Sequence, residues 1–333
     1  MKSTYKIAAA VTLLTLALAG CAGNTEGSED AADSTTAPTT GTFPQTVETS
    51  FGDVTIESAP QRIVALGWGD AETALALGYQ PVGASDWLDF GGDGVGPWAE
   101  GLYEQSPEII ATLEPSFEAI AALEPDLILD VRSSGDQERY DRLAEIAPTV
   151  GVPDGGESYL TTQEQQVDMI STALSVPEKG EELLAEIDEA YQAAAEAHPE
   201  WAGMTVTAAT RTSEGWGAYI EGSNRVETLQ RFGFVQNPTI QEIPVNSGGF
   251  SVSISSEELD LMDADLIVAF PIYIDTTEIT EDAQWKQLPA VADGRAIVID
   301  GDISAAYSLG SPQAALYTVE NLTPLLEEAI PAS

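Results

Sequence analysis

The chain of 333 residues has one cysteine, one histidine and 12 basic residues against 55 acidic ones. Each scarcity removes a class of function. With Cys21 alone, no intramolecular disulfide can form. With His198 alone, beside the helix-stopping Pro199, the clustered imidazole and carboxylate ligands of a zinc or manganese site are lacking, and His198 reads as a surface residue at a helix C-terminus. A formal net charge of −43 repels nucleic-acid phosphates and anionic membrane surfaces, so nucleic acid is excluded as a partner. Such acidity suits a saline habitat and is silent about fold. No Gly-x-Ser-x-Gly elbow, no phosphate-binding Gly-Lys loop and no Cys or His placed beside a nucleophile is present, so the chain reads as no enzyme. A lipid-anchored hydrolase using a cleft carboxylate or serine is the rival class, and a cell-wall or adhesion module a third.

Long hydrophobic runs are also scarce. The one at the N-terminus, Ile7 to Ala19, is too short to span a bilayer. It follows Lys2 and Lys6 and ends in Leu18-Ala19-Gly20-Cys21, the pattern of a secretory signal over residues 1–20. Leu-Ala-Gly-Cys resembles the lipobox of bacterial lipoproteins, which implies a diacylglycerol thioether and an acylated amine on Cys21. Several acyl chains anchor stably where one is marginal. Residues 21–45 are mainly Gly, Ser, Thr, Asp, Glu and Ala, a composition that cannot offset the entropy of ordering and reads as a tether.

The folded remainder repeats itself. Ser116-Phe-Glu118 precedes Asp126-Leu-Ile, and Ser255-Ser-Glu257 precedes Asp265-Leu-Ile at the same spacing. In both copies the serine is expected to cap a short helix, with the glutamate in its first turn. Ile120 and Leu123 fall opposite Glu118, and Leu259 and Met262 opposite Glu257, so both acids should face solvent. Either acid taken alone is an ordinary first-turn glutamate; matched spacing in two halves favours a function.

Strand and helix patterns alternate through residues 46–160 and again through 201–333, with a helical connector over 161–200. The fold class expected is α/β: two Rossmann-like lobes with central sheets, joined by one long α-helix. Ligands of open parallel sheets bind beyond the carboxyl ends of the strands. The loops expected there carry Trp68, Trp87, Trp98 and Arg132 in the first half, and Arg211, Trp216, Tyr219, Tyr273 and Tyr307 in the second. Each aromatic alone reads as packing; the set reads as a cleft with aromatic walls and two cationic groups.

With these pieces in order, the chain resembles the class III periplasmic binding proteins, the substrate-binding lipoproteins of ABC importers for ferric siderophores and cobalamin. The resemblance rests on Phe51-Gly-Asp-Val-Thr-Ile56, Pro60-Gln-Arg-Ile-Val-Ala-Leu66, Leu77-Gly-Tyr-Gln-Pro-Val-Gly83, Ser116 to Ile128, Ser255-Ser-Glu-Glu-Leu259, Trp285 to Val291 and Gly310-Ser-Pro312. It implies a monomer on the outer face of the cytoplasmic membrane, little hinge movement, and a shallow site between the lobes. It also implies that Glu118 and Glu257 dock onto arginines of a dimeric permease served by a cytoplasmic ATPase. The ligand expected is an Fe(III)-siderophore with hydroxamate or mixed donors, because a tricatecholate would ask for more cations than Arg132 and Arg211. Arg211 is the better placed of the two. Cobalamin, or haem through tyrosine ligation, is the alternative. No metal is held directly and no cofactor is covalent apart from the lipid.

Overall fold

A computed structural model describes residues 41–245 and 249–331. The signal segment, Cys21 and nearly all of the tether lie outside the described residues. An antiparallel ribbon of β1 (Gln45–Val47) and β2 (Val54–Ile56) leads into the first lobe. There β3 (Ile63–Ala65), β4 (Gly83–Ser85), β5 (Glu108–Ile110), β6 (Leu127–Leu129) and β7 (Thr149–Val150) form a parallel sheet in the order β5-β4-β3-β6-β7. The central strands β3 and β6 are short, fully buried apolar runs because both faces are covered there, while the edge strand β5 leaves Glu108 and Ile109 exposed. Ile63, Ala65, Leu127 and Leu129 face α1 (Asp70–Ala76) and α4 (Gln163–Ala173). Val64 and Ile128 face Ile120 of α2 (Phe117–Ala122) and Leu143 of α3 (Gln137–Ala144).

The expected connector divides into two roles. Met169, Ile170 and Ala173 bury α4 in the first-lobe core, so only α5 (Pro177–Ala197) runs between the lobes. Pro177 opens it without loss of a hydrogen bond. Leu183 packs on the first core, and Ile187 and Tyr191 lie in the second.

The second lobe contains β8 (Thr205–Thr212), β9 (Gly215–Tyr219), α6 (Asn224–Arg231), β10 (Val235–Gln236), the short α7 (Pro238–Gln241), β11 (Ser251–Ile254) and β12 (Leu266–Pro271). The short α8 (Thr277–Thr280) and α9 (Pro289–Ala292), then β13 (Ala296–Val298), α10 (Gly301–Leu309) and α11 (Pro312–Ala329), complete it. Strand order is β11-β9-β8-β12-β13, with β10 beside the start of β8; β9 alone runs antiparallel to the rest. One sheet face packs under α5, α6, α10 and α11, and the other around Trp216, Met262 and Trp285.

The sequence repeat has a hydrogen-bonding cause. The Asp126 carboxylate accepts from the N–H groups of Gln61 and Arg62 at 2.8 and 2.9 Å, at the entry to β3. Asp265 accepts from the N–H and hydroxyl of Thr205, each at 2.8 Å, at the entry to β8. Each aspartate thus satisfies the first donors of the neighbouring parallel strand. The two glutamate segments diverge. Ser116 Oγ caps α2 by accepting from Ala119 N–H at 3.2 Å, whereas Ser255 donates to Glu258 and opens a 3₁₀ segment, Ser256–Met262. Leu259 and Met262 are buried as expected, and so is Ile120.

Several placements differ from expectation. Arg211 lies in β8, one residue from its end, and Trp216 and Tyr219 lie in β9, because the Gly-rich stretch after Thr212, whose sequence reads as a loop or a hairpin, pairs as a hairpin. Tyr307 sits inside α10, which runs until Gly310 adopts φ +63°. Residues 282–288, whose sequence reads as a helix, hold only the 3₁₀ turn Trp285–Gln287.

Candidate functional site

The turn Gly67-Trp68-Gly69 follows β3, and a single buried carboxylate organises it. Asp70 accepts from Gly67 N–H (3.2 Å), Val131 N–H (2.8 Å) and the Gln166 amide (2.6 Å), while Trp68 N–H donates to Arg132 O at 2.8 Å. Burial pushes the Asp70 carboxyl up to about 6 against the pull of these donors, with the neighbouring Asp130 charge adding to the rise. The arrangement presents the Trp68 ring at the carboxyl end of the first sheet.

There the indole is sandwiched. Trp87 stacks on one face and Tyr159 on the other, each with ring centres 3.9 Å apart. Tyr159 reaches this place from the turn Glu157–Tyr159, where Ser158 and Tyr159 adopt φ of +60° and +64° and their N–H groups bond Ser134 O and Ser133 O. Phe250 meets Trp68 edge-on at 6.2 Å and stacks with Tyr219 at 6.1 Å, continuing the aromatic wall into the second lobe. Arg225, on α6, lies 4.7 Å over the Tyr219 ring and 5.8 Å from that of Trp87. It is only 5% exposed, and its Nε has no hydrogen-bond partner among the described residues. The indole N–H groups of Trp68 and Trp87 and the hydroxyl of Ser223 are likewise buried without a partner there. Trp68, Arg132, Tyr159, Ser223, Arg225 and Phe250 enclose a crevice of about 10 Å³. Such a space holds one water at most, so a larger occupant must part the aromatic side chains.

Arg132 bridges the lobes. Its Nε donates to Thr161 O at 2.9 Å and its Nη1 to Leu309 O at 2.7 Å. Burial lowers its pKa to about 10, aided by the Arg225 charge and opposed by Glu227 and Asp70.

The other expected residues lie elsewhere. Trp98 donates its indole N–H to Glu72 at 2.7 Å and packs on Tyr317, away from the crevice. Arg211 and Trp216 pair across β8 and β9, with the guanidinium 5.6 Å over the indole and Trp216 stacked on Trp285, on the opposite sheet face from Tyr219. Tyr307 is fully buried beneath the wall, its hydroxyl donating to Arg225 O at 2.9 Å. Tyr273 is 88% exposed beyond β12. Glu118 and Glu257 are exposed, Glu118 beside a surface groove of about 510 Å³ that Leu113, Phe117 and Arg142 also line. His198 ends α5, stacked on Trp201 and bonded to Glu200 and Glu327.

Sequence reasoning passed over Tyr159, Arg225 and Phe250. Tyr159 follows a strand by nine residues and Arg225 sits in a helical pattern, so nothing local marks either. Among the described residues no group of three or more His, Cys, Asp or Glu side chains could hold a metal, and no helix is long and apolar enough to cross a membrane.

The pattern of the periplasmic binding protein family matches residues 63–303. The chain belongs to that family. Its two parallel-sheet lobes and connecting α5 match the family's solved structures. The substrate-binding protein PiaA of Streptococcus pneumoniae, solved in complex with ferrichrome, is 26% identical with a TM-score of 0.73, over 85% of this chain and 98% of PiaA. Among curated relatives, the probable siderophore-binding lipoprotein YfiY of Bacillus subtilis is 28% identical over 281 residues, 80% of this chain and 82% of the relative. The iron(3+)-hydroxamate-binding protein FhuD of the same organism is 27% identical over 296 residues, 86% of this chain and 87% of FhuD.

Proposed function

We propose that this family member is the substrate-binding component of an ABC importer, capturing an Fe(III)-siderophore between its lobes and delivering it to a membrane permease. The observation that carries this reading is the crevice itself: stacked rings and a buried guanidinium, with indole N–H and hydroxyl groups that have no acceptor among the described residues. A ferric chelate has the complementary surface, oxygens of high charge density on an organic framework. The relatives named for siderophores, hydroxamates and ferrichrome agree with it. Hydroxamate or mixed-donor chelates suit two guanidinium groups, Arg132 and Arg225. The protein is a monomer that binds and releases its ligand without turnover. Cys21 carries the lipid that holds it at the outer face of the cytoplasmic membrane, and Glu118 and Glu257 meet the permease.

The test is a tryptophan-fluorescence titration of the protein lacking its tether, confirmed by calorimetry, against ferric hydroxamate, catecholate and carboxylate chelates, with cobalamin and haem as controls. Saturable quenching by a ferric hydroxamate or mixed-donor chelate is expected, since Trp68 and Trp87 form the wall. Saturable binding of cobalamin or haem alone would remove the iron-chelate assignment.

A further inference from the structure

Helix α1 carries a second buried carboxylate, outside the crevice. Glu72 is 3% exposed, and it accepts from Gly96 N–H at 2.9 Å, from the Trp98 indole N–H at 2.7 Å, and from the Ser311 hydroxyl. No salt bridge among the described residues includes it. The charge that acts on it is itself acidic, that of Asp86, and the Tyr103 phenol also feels the Glu72 charge. An unpaired buried carboxylate is costly, and an apolar residue would fill the space at less cost if stability were its only purpose.

What its three donors share is their place. Gly96 and Trp98 belong to the segment Asp86 to Ala99, whose Trp87, Leu88, Phe90 and Trp98 leave the first lobe to pack on Ala306, Leu309, Ala314 and Tyr317 of α10 and α11. Ser311 is the N-cap of α11 and accepts from Ala314 N–H at 3.4 Å. The segment's only regular structure is the 3₁₀ turn Pro97–Ala99, so its own backbone does little to hold it. Its near end is Trp87, the ring stacked on Trp68. Glu72 therefore ties α1, the crossing strap and the start of α11 at one point.

We infer that Glu72 is a positioning residue for ligand capture: by fixing the strap and the start of α11 to α1, it holds Trp87 against Trp68 and sets the approach of the two lobes. This rests on reading the crevice as the chelate site. Glu72→Gln keeps the shape but turns an amide toward N–H donors. Its expected effect is about tenfold weaker binding of the ferric hydroxamate used in the titration. The ligand-free variant should also lose the exciton-coupled circular dichroism of the Trp68–Trp87 pair while still melting cooperatively. Trp87→Phe defines that pair's share of the band, because Trp216 and Trp285 also stack. Ser311→Ala, acting from the far side, should weaken binding likewise, and the double variant should be no worse than Glu72→Gln alone. An unchanged band together with unchanged affinity in Glu72→Gln overturns the inference; if that variant does not fold, the same result in Ser311→Ala overturns it. A wild-type protein that binds no ferric chelate overturns the chelate reading instead, and the band, read without ligand, still decides whether Glu72 holds the stack.

Discussion

At Arg225 a guanidinium lies buried between two aromatic faces, its Nε without a partner among the described residues, so any oxygen-rich ligand entering the crevice meets a desolvated cation. Removing one partner of a buried charged contact costs about 30-fold or more in affinity. Arg225→Gln should therefore weaken ferric-chelate binding by about that factor in the calorimeter. Its melting temperature should hold, because no salt bridge among the described residues uses the side chain. A smaller loss in Arg225→Gln than in Arg211→Ala would move the cationic contact to the β8 hairpin. Asp70 makes a different prediction. Its folded-state pKa is raised to about 6, so the folded protein keeps a proton that the unfolded chain has released. The stability linked to that proton is fully present below the ordinary carboxylate range and is lost as pH rises through about 6. Asp70→Asn should flatten this part of the melting curve against pH. An unaltered pH profile would assign the titration to other groups.

Among elements, the pair Asp126 and Asp265 shows how a short motif acts through its neighbours. Each carboxylate closes the entry of an adjacent parallel strand while exposed to solvent, so Asp126→Ala and Asp265→Ala should each cost about 1 kcal/mol in chemical denaturation. Being in separate lobes, they should add. A marked non-additivity would mean that the two sheets unfold through a shared contact. The long helices α5 and α11 are legible in the sequence because Pro177 and Pro312 open them and apolar residues recur at helical spacing. The runs that became β3 and β6 are legible because their apolar residues are continuous. β5, β9 and α10 are not. Glu108-Ile-Ile110 is too short to show a period, the stretch Gly215-Trp-Gly-Ala-Tyr219 reads equally as loop or hairpin until it pairs with β8, and α10 opens on a glycine.

For the whole molecule, two matched acids on two lobes matter only if the lobes present them together. Glu118 and Glu257 are exposed and outside the crevice, so Glu118→Lys with Glu257→Lys should abolish chelate uptake by cells while leaving chelate affinity within about twofold, as rim charges chiefly affect encounter. Equal loss of binding and uptake would remove the docking role. The crevice has room for about 10 Å³, so an occupant larger than a water must displace the side chains that line it.

The sequence by itself determined the two-lobed α/β plan, because apolar runs, helical periodicity and strand-entry aspartates act over a few residues and recur in both halves. It also marked Trp68 and Trp87, which sit in turns just beyond strand ends, where position along the chain nearly equals position in space. Only the tertiary structure decided which cation faces them. Arg211 and Tyr219 both lie in the β8–β9 hairpin, yet the pleat sends them to opposite sheet faces, while α6 carries Arg225 across to the ring that Tyr219 presents. Residues distant in the chain meet there through sheet packing and the pairing of two lobes, and those contacts leave no local pattern to read.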